Sequence, residues 1–243
     1  AATDAAKKQN RQFRYRKRAL RAYDIESIFF IGSTGTVAYT DRSDFDIWLC
    51  HRPHMATDRR ADLQRKAAAV QAWAQSLDLE VHFFLMDVNR FRDGELDALS
   101  QESSGSTQRH LLLDEFYRTS VLVAGKPLLW WMIPAEREEL YYPTCDQLVR
   151  NNLLRDGEFI DFGPLSEIPA GEFVSAALWQ IYKGIDSPYK SVLKIQLLES
   201  YADGADISDT LSRRYKQAVW QGALHLDELD PYVMMCNKVE EYL

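Results

Sequence analysis

Cysteine, glycine and proline are all scarce in this 243-residue chain, and no hydrophobic run is long. The three cysteines, Cys50, Cys145 and Cys236, lie far apart with no Cys-x-x-Cys pair. That excludes a disulfide-stapled scaffold and a cysteine-based zinc finger, and it fits a reducing cytoplasm. Eleven glycines and eight prolines exclude collagen-like and linker-dominated chains. The longest uninterrupted apolar run, Leu128 to Ile133, is six residues, against the roughly 20 needed to span a bilayer. Residues 1–22 hold no apolar stretch of the kind a secretory leader uses. What is present is core material: 46% apolar and 12% aromatic residues exclude global disorder. At about 150 residues per domain the length allows one or two domains. The chain opens on Ala1 and stops inside a helical pattern at Glu240 to Leu243, so a longer parent protein is expected.

Charge is unevenly spread. Residues 1–22 carry eight Lys/Arg against the single Asp4, a local +7, so a chain of net charge −7 has −14 on the remainder. An acidic body argues against broad nucleic-acid binding, which needs a basic face to displace counterions from phosphates. The basic N-terminal segment reads as a solvated helix face.

Periodicity predicts a helix over residues 3–22 and then strands at Ile25 to Ile31, Phe45 to Cys50 and Leu79 to Met86. Between the last two, Leu63, Ala67, Val70, Ala74 and Leu77 recur at helical spacing within residues 57–77. Segment 93–107 reads as a polar loop. Arg109 to Val123 reads as a helix and Pro127 to Ile133 as one more strand. Helices are expected near 136–150, 171–186, 188–202, 208–221 and 232–243. The chemistry-bearing residues lie early in this order, at Gly32-Ser33 after the first strand and at Asp44-Phe45-Asp46-Ile47 entering the second. Side chains alternate along a strand, so Asp44 and Asp46 share one face while Phe45 and Ile47 enter the core. Adjacent buried carboxylates repel unless a cation neutralises them, and hard oxygen ligands suit Mg²⁺ together with substrate phosphates. Gly32 and Ser33 are expected to open a short helix whose free N–H groups, with the Ser33 hydroxyl, hold phosphate oxygens. A phosphate cradle followed by paired aspartates is equipment for metal-assisted phosphoryl or nucleotidyl transfer.

The Gly-Ser and Asp-x-Asp pattern resembles the signature of the DNA polymerase β-like nucleotidyltransferases. More closely, "GSTGTVAYTDRSDFDIWLCH", "LEVHFFLMDVNRFR", "GSTQRHLLLDEFYRTSVLVAGK", "ALWQIYKGIDSPYKSVLK" and "LDPYVMMCNKVEEYL" resemble the N-terminal catalytic region of the class I, enterobacterial-type adenylate cyclases. The resemblance implies an α+β fold, a small mixed sheet with flanking helices followed by a mostly helical subdomain. The expected divisions are a basic helix at 1–24, a catalytic α/β subdomain at 25–134 and a helical subdomain at 135–243 that closes over the nucleotide. It implies a cytoplasmic lyase converting ATP to 3′,5′-cyclic AMP and pyrophosphate with two Mg²⁺ ions, Mn²⁺ being able to substitute. It further implies regulation by a phosphotransferase-system protein through a more C-terminal region, and no membrane span.

Such sites use a third carboxylate. Glu80 shares a strand face with His82, opposite the apolar set Val81, Phe83 and Leu85, and is expected to join Asp44 and Asp46 as base or metal ligand; Asp87 is expected past the strand, capping a turn. Cations for the triphosphate are expected from the helical half. Ser187 suits an N-cap and Pro188 the first helical position, which puts Lys190 in a first turn where the helix dipole disfavours a cation unless an anion binds. Lys183, Lys194 and Arg118 are further candidates, with the alternative that Arg118 pairs with Asp114 four residues away and Asp186 compensates Lys190. The loop at Gly105 to Gln108 matches the family without showing its chemistry. The five histidines, His51, His54, His82, His110 and His225, show no metal-ligand spacing. Two rival readings remain: nucleotidyl transfer to another acceptor (an RNA end, a protein or a small molecule), and a catalytically inactive regulatory domain. The first would show a basic track, and the second usually loses one of the paired acids.

Overall fold

The computed structural model describes residues 23–41, 43–95, 108–155, 157–204, 209–225 and 229–243. The expected N-terminal helix at 3–22 and the loop residues 96–107 lie outside them. Four strands form one mixed sheet: β1 (Ile25–Ile31), β2 (Phe45–His51), β3 (Val81–Asp87) and β4 (Val121–Gly125), in the order β3-β2-β1-β4. β1 runs antiparallel to both β2 and β4, whereas β2 and β3 are parallel. A parallel pair needs a crossover connection, and α1 (Thr57–Gln75) supplies it.

Both faces of β1, β2 and β3 are covered, so these strands read as nearly continuous apolar runs, while β4 at the edge is exposed. On one face Ile47 and Leu49 join Phe30, Val81, Phe83 and Leu85 under Leu63 and Ala67 of α1. On the other, Phe29, Ile31, Trp48, Cys50 and Met86 meet Leu113, Phe116 and Tyr117 of α3 (Arg109–Thr119). Trp48 stacks on Phe116 at 4.4 Å and Tyr117 on Trp130 at 4.2 Å. Such pairs add about 0.5–1.5 kcal/mol each beyond the area they bury. This core continues past Pro134 to Tyr141, Cys145, Ile160, Phe162 and Leu165.

Beyond α2 (Val88–Arg92), α3 and α4 (Tyr141–Arg150), the helical half comprises α5 (Ala170–Lys183), α6 (Pro188–Asp203), α7 (Leu211–Trp220) and α8 (Pro231–Tyr242). α5 and α8 pack on α6, and α7 packs on α3 and α8. No helix among the described residues is long and apolar enough to cross a membrane.

Three local expectations are corrected. The helix expected over Arg109 to Val123 stops at Thr119, and Val121–Gly125 leaves it as β4 on the edge of β1. The β-branched Val121 and Val123 suit that edge, and Gly125 allows the approach, since a Cβ there would lie 2.1 Å from the Glu26 carbonyl oxygen. Leu129–Met132 is a 3₁₀ turn, not a strand; Leu128 before it makes an isolated bridge to Ile160, and Trp130 packs into the core shared with the sheet. Pro127 and Pro134 bracket it. Residues 136–150 divide into a 3₁₀ helix, Ala135–Leu140, and α4.

Candidate active site

The register of the sheet assembles the acids. Ile31 at the end of β1 pairs with Asp46, and Asp46 pairs with His82 on β3. One step earlier the Phe45 N–H donates to the Glu80 carbonyl at 2.8 Å. Asp44, Asp46, Glu80 and His82 therefore share one face at one end of the sheet, where β1 gives way to the Gly32 turn. Ligand atoms of Asp44, Glu80 and His82 lie within 4.8 Å of one another, and His82 Nε2 is 3.1 Å from Glu80 Oε1.

The expected short helix at Gly32 and Ser33 is a turn instead. Gly32 has φ +85°, a left-handed conformation that favours glycine. Its N–H is engaged by Thr119 Oγ1 at 3.1 Å and so is not free for an anion. β3 begins at Val81, which leaves Glu80 at its mouth with a side chain 68% exposed. Asp87 is the last strand residue and also caps α2, its Oδ1 accepting from Arg90 N–H at 3.2 Å.

Facing these acids is a cavity of about 800 Å³. Its floor is Gly32, Asp44, Asp46, Glu80 and His82; its walls are α3 and the α5–α6 pair, through Glu115, Arg118, Trp179, Lys183, Lys190 and Lys194. Every sequence-derived site residue except Ser33 lines it. Ser187 stands at the N-cap position of α6 without a side-chain capping bond, Pro188 follows at the first position, and Lys190 lies in the first turn. Lys190 makes no ion pair within 4 Å among the described residues, with Asp186 or any other acid; its Nζ stands 5.9 Å over the Tyr232 ring. Lys183 Nζ stands 5.4 Å from the Trp179 ring. Lys194, in contrast, is paired with Glu115 at 2.9 Å. Arg118 contacts Asp114 at 3.4 Å, yet its buried Nη1 has no partner. The buried Thr34 hydroxyl in the glycine turn likewise has none.

The electrostatics suit an anionic, metal-assisted ligand. Burial, followed by the charge of Asp44, pushes the Asp46 carboxyl up to about 6, against a smaller lowering by His82. Burial alone would raise Glu115 too, but Lys194 and Arg118 outweigh it and hold that carboxyl down to about 2. No basic side chain among the described residues forms an ion pair with Asp44 or Asp46. The carboxylate oxygens of Asp44 and Glu80 with the His82 imidazole nitrogen are a donor set that could hold a divalent cation.

Residues 1–131 match the family model described as the adenylate cyclase NT domain, and residues 168–243 match that of the adenylate cyclase, class-I, second domain. The chain belongs to the class I adenylate cyclase family. It is 46% identical over 219 residues to the adenylate cyclases of Shigella flexneri and Escherichia coli strain K12, and 43% identical to that of Yersinia pestis. The match covers 90% of this chain but only 26% of each relative. The chain thus spans about a quarter of the curated cyclases it resembles. No solved structure matches it.

Within this class I chain, sequence reasoning missed three site features. His82 joins the acids although no histidine spacing announced it; its parity with Glu80 was the available signal. Glu115 lines the cavity and claims Lys194, a pairing 79 residues apart in the chain. Asp230 reaches the glycine turn from α8. The Gln108 end of the 105–108 loop lines the cavity, while Gly105, Ser106 and Thr107 lie outside the described residues.

Proposed function

We propose that this region of the class I cyclase converts ATP to 3′,5′-cyclic AMP and pyrophosphate in the cytoplasm, the helical half 135–243 closing over a nucleotide held on the 25–134 half. The observation that carries the reading is one cavity with paired acids on its floor and cations on its wall. Asp44, Asp46 and Glu80, with His82 beside them, would hold divalent cations, two Mg²⁺ ions with Mn²⁺ as the alternative. When bound, they supply Lewis-acid activation of the 3′-hydroxyl and neutralise charge on the departing pyrophosphate. Lys190 and the free Nη1 of Arg118 hold phosphate oxygens, with Lys183 at the cavity mouth. Lys194 acts on the ligand through the charge it shares with Glu115. The attacking 3′-hydroxyl belongs to the same nucleotide, so no second substrate need be recruited. Regulation by a phosphotransferase-system protein falls, on this reading, to sequence beyond the matched quarter.

Incubation with ATP and Mg²⁺, followed by separation of nucleotides, tests the reaction directly. A cyclic nucleotide formed without an added acceptor is expected; transfer only to an added acceptor would replace the cyclase reading with nucleotidyl transfer. The acid assignment has its own check in steady-state kinetics. Glu80→Gln is expected to cut turnover by about 10²-fold or more with ATP affinity little changed, the scale of losing a group that acts in the transition state. Asp87→Asn keeps the α2 cap and is expected to be mild. A dead Asp87 variant beside an active Glu80 variant would overturn the strand register that sets Glu80 beside Asp44 and Asp46.

A further inference from the structure

One buried carboxylate joins the glycine turn to α8, two segments from distant parts of the chain. Asp230 is 5% exposed and precedes α8. Its Oδ1 accepts from the N–H groups of Tyr232 and Val233 at 2.9 and 3.1 Å, the ordinary work of an N-cap. Its Oδ2 accepts from the Val37 N–H at 2.8 Å, across 193 residues of sequence. An N-cap needs one oxygen, which serine, threonine or asparagine supplies equally well. The second oxygen is surplus to capping, and only a carboxylate offers acceptors in both directions at once.

Each object it joins reaches the cavity at one residue, the turn at Gly32 and α8 at Tyr232. Tyr232, in the first turn of α8, lines it beneath Lys190. Val37 ends the turn that starts at Gly32, and Ala38 beyond it packs against the Leu197, Leu211, Tyr232 and Met235 cluster. The turn is therefore pinned twice: Thr119 Oγ1 takes the Gly32 N–H at 3.1 Å, and Asp230 takes the Val37 N–H. Between the pins, the N–H groups of Ser33, Thr34 and Gly35 have no partner among the described residues, and the Thr34 hydroxyl is buried and unpartnered.

We propose that Asp230 is a positioning residue whose second oxygen latches the Gly32–Ala38 turn to α8, setting the spacing between the turn and Lys190 for the phosphates of a nucleoside triphosphate. This rests on the reading of the cavity as an ATP site and on the sequence expectation that the Gly32–Ser33 turn holds phosphate. Adenosine carries no phosphate and does not feel the latch.

The test reads binding rather than turnover. Asp230→Asn keeps one oxygen for the cap but turns an amide N–H₂ toward Val37, so it breaks the latch alone; Asp230→Ala removes cap and latch together. The asparagine variant is expected to melt close to the parent and to lose exchange protection at the Val37 amide. Its ATP affinity, measured by calorimetry, should fall about five- to tenfold, the effect of one net hydrogen bond, with adenosine unchanged. The alanine variant should melt lower by about 2–4 °C, as loss of a cap predicts. An asparagine variant with an unprotected Val37 amide and parental ATP affinity overturns the proposal, as does an equal loss of ATP and adenosine affinity. A parent that binds ATP yet forms no cyclic nucleotide would sink the cyclase reading alone, because the latch is read from binding.

Discussion

Asp46→Asn is expected to abolish turnover and, in metal-free protein above pH 6, to raise the melting temperature. Asp46 enters β2 beside Asp44 on a partly buried face, and burial with that neighbour lifts its carboxyl from 3.8 to about 6. A folded-state value above the unfolded one means that the fold favours the protonated form. The stability this contributes is complete below about pH 4 and is lost as the pH rises through 6. Two pKa units correspond to about 2–3 kcal/mol at most, and to less for a side chain that water still reaches. Asparagine carries no charge anywhere in this range, so variant and parent should melt alike at pH 4 and diverge by pH 7.5. Adding Mg²⁺ should reverse the order, because a ligand of the native state stabilises the parent by mass action and the variant has lost a ligating charge. Thermal melts at the two pH values, with and without Mg²⁺, make the comparison. A large melting loss in the metal-free variant at pH 7.5 would show that the carboxylate serves the fold and not a cation.

The second large effect concerns Lys194. Its ion pair with Glu115 spans 2.9 Å, with side chains 23% and 25% exposed. Glu115 is held down to about 2, against its own burial, chiefly by Lys194 and then by Arg118. Lys194→Met should therefore leave a carboxylate poorly solvated and close to Asp46. Breaking a fully buried pair costs about 3–5 kcal/mol; partial exposure reduces this to roughly 2–3 kcal/mol. Because the Glu115 value is lowered by folding, the pair contributes fully above pH 4.5, and its contribution fades as the pH falls toward 2. The double variant Lys194→Met, Glu115→Gln removes both charges and should recover most of the stability. Its ATP affinity then separates two roles. A lysine that only neutralises Glu115 leaves the double variant binding ATP like the parent. One that shares its charge with phosphate leaves binding about tenfold weaker, the scale of a lost charge-assisted contact. Parental melting of the single variant would overturn the pairing.

Much of the site was legible because it obeys local rules. The bounds of β1 followed from its β-branched and aromatic composition. Strand parity paired Asp44 with Asp46 and Glu80 with His82, and the β2–β3 pairing puts the two sets on one face. Pro188 marked the start of α6 and thereby the first-turn charge of Lys190. The errors share a different cause. Val121–Gly125 carries an apolar pattern compatible with helix continuation, and only the free edge of β1 makes it a strand. Leu129–Met132 has strand composition, but stacking of Trp130 on Tyr117 between two prolines coils it. Neither outcome is available to a reading confined to neighbouring residues.

The sequence by itself determined which residues could do chemistry: the paired aspartates, the glutamate of matching parity, and the lysines of the Ser-Pro-initiated helix. Periodicity of two along strands and the cap preferences of helices act within a few residues, so they are written in the order of the chain. The tertiary structure alone decided which of those groups are free to meet a ligand. It gave Lys194 to Glu115, brought His82 beside Glu80, spent the Gly32 N–H on Thr119 and tied the turn to Asp230. Each of these depends on hydrogen bonds or charges separated by a few ångströms in space. Except for the Glu80–His82 contact, they also join residues about 80 to 190 positions apart, and such pairings exist only once those distant segments have packed together.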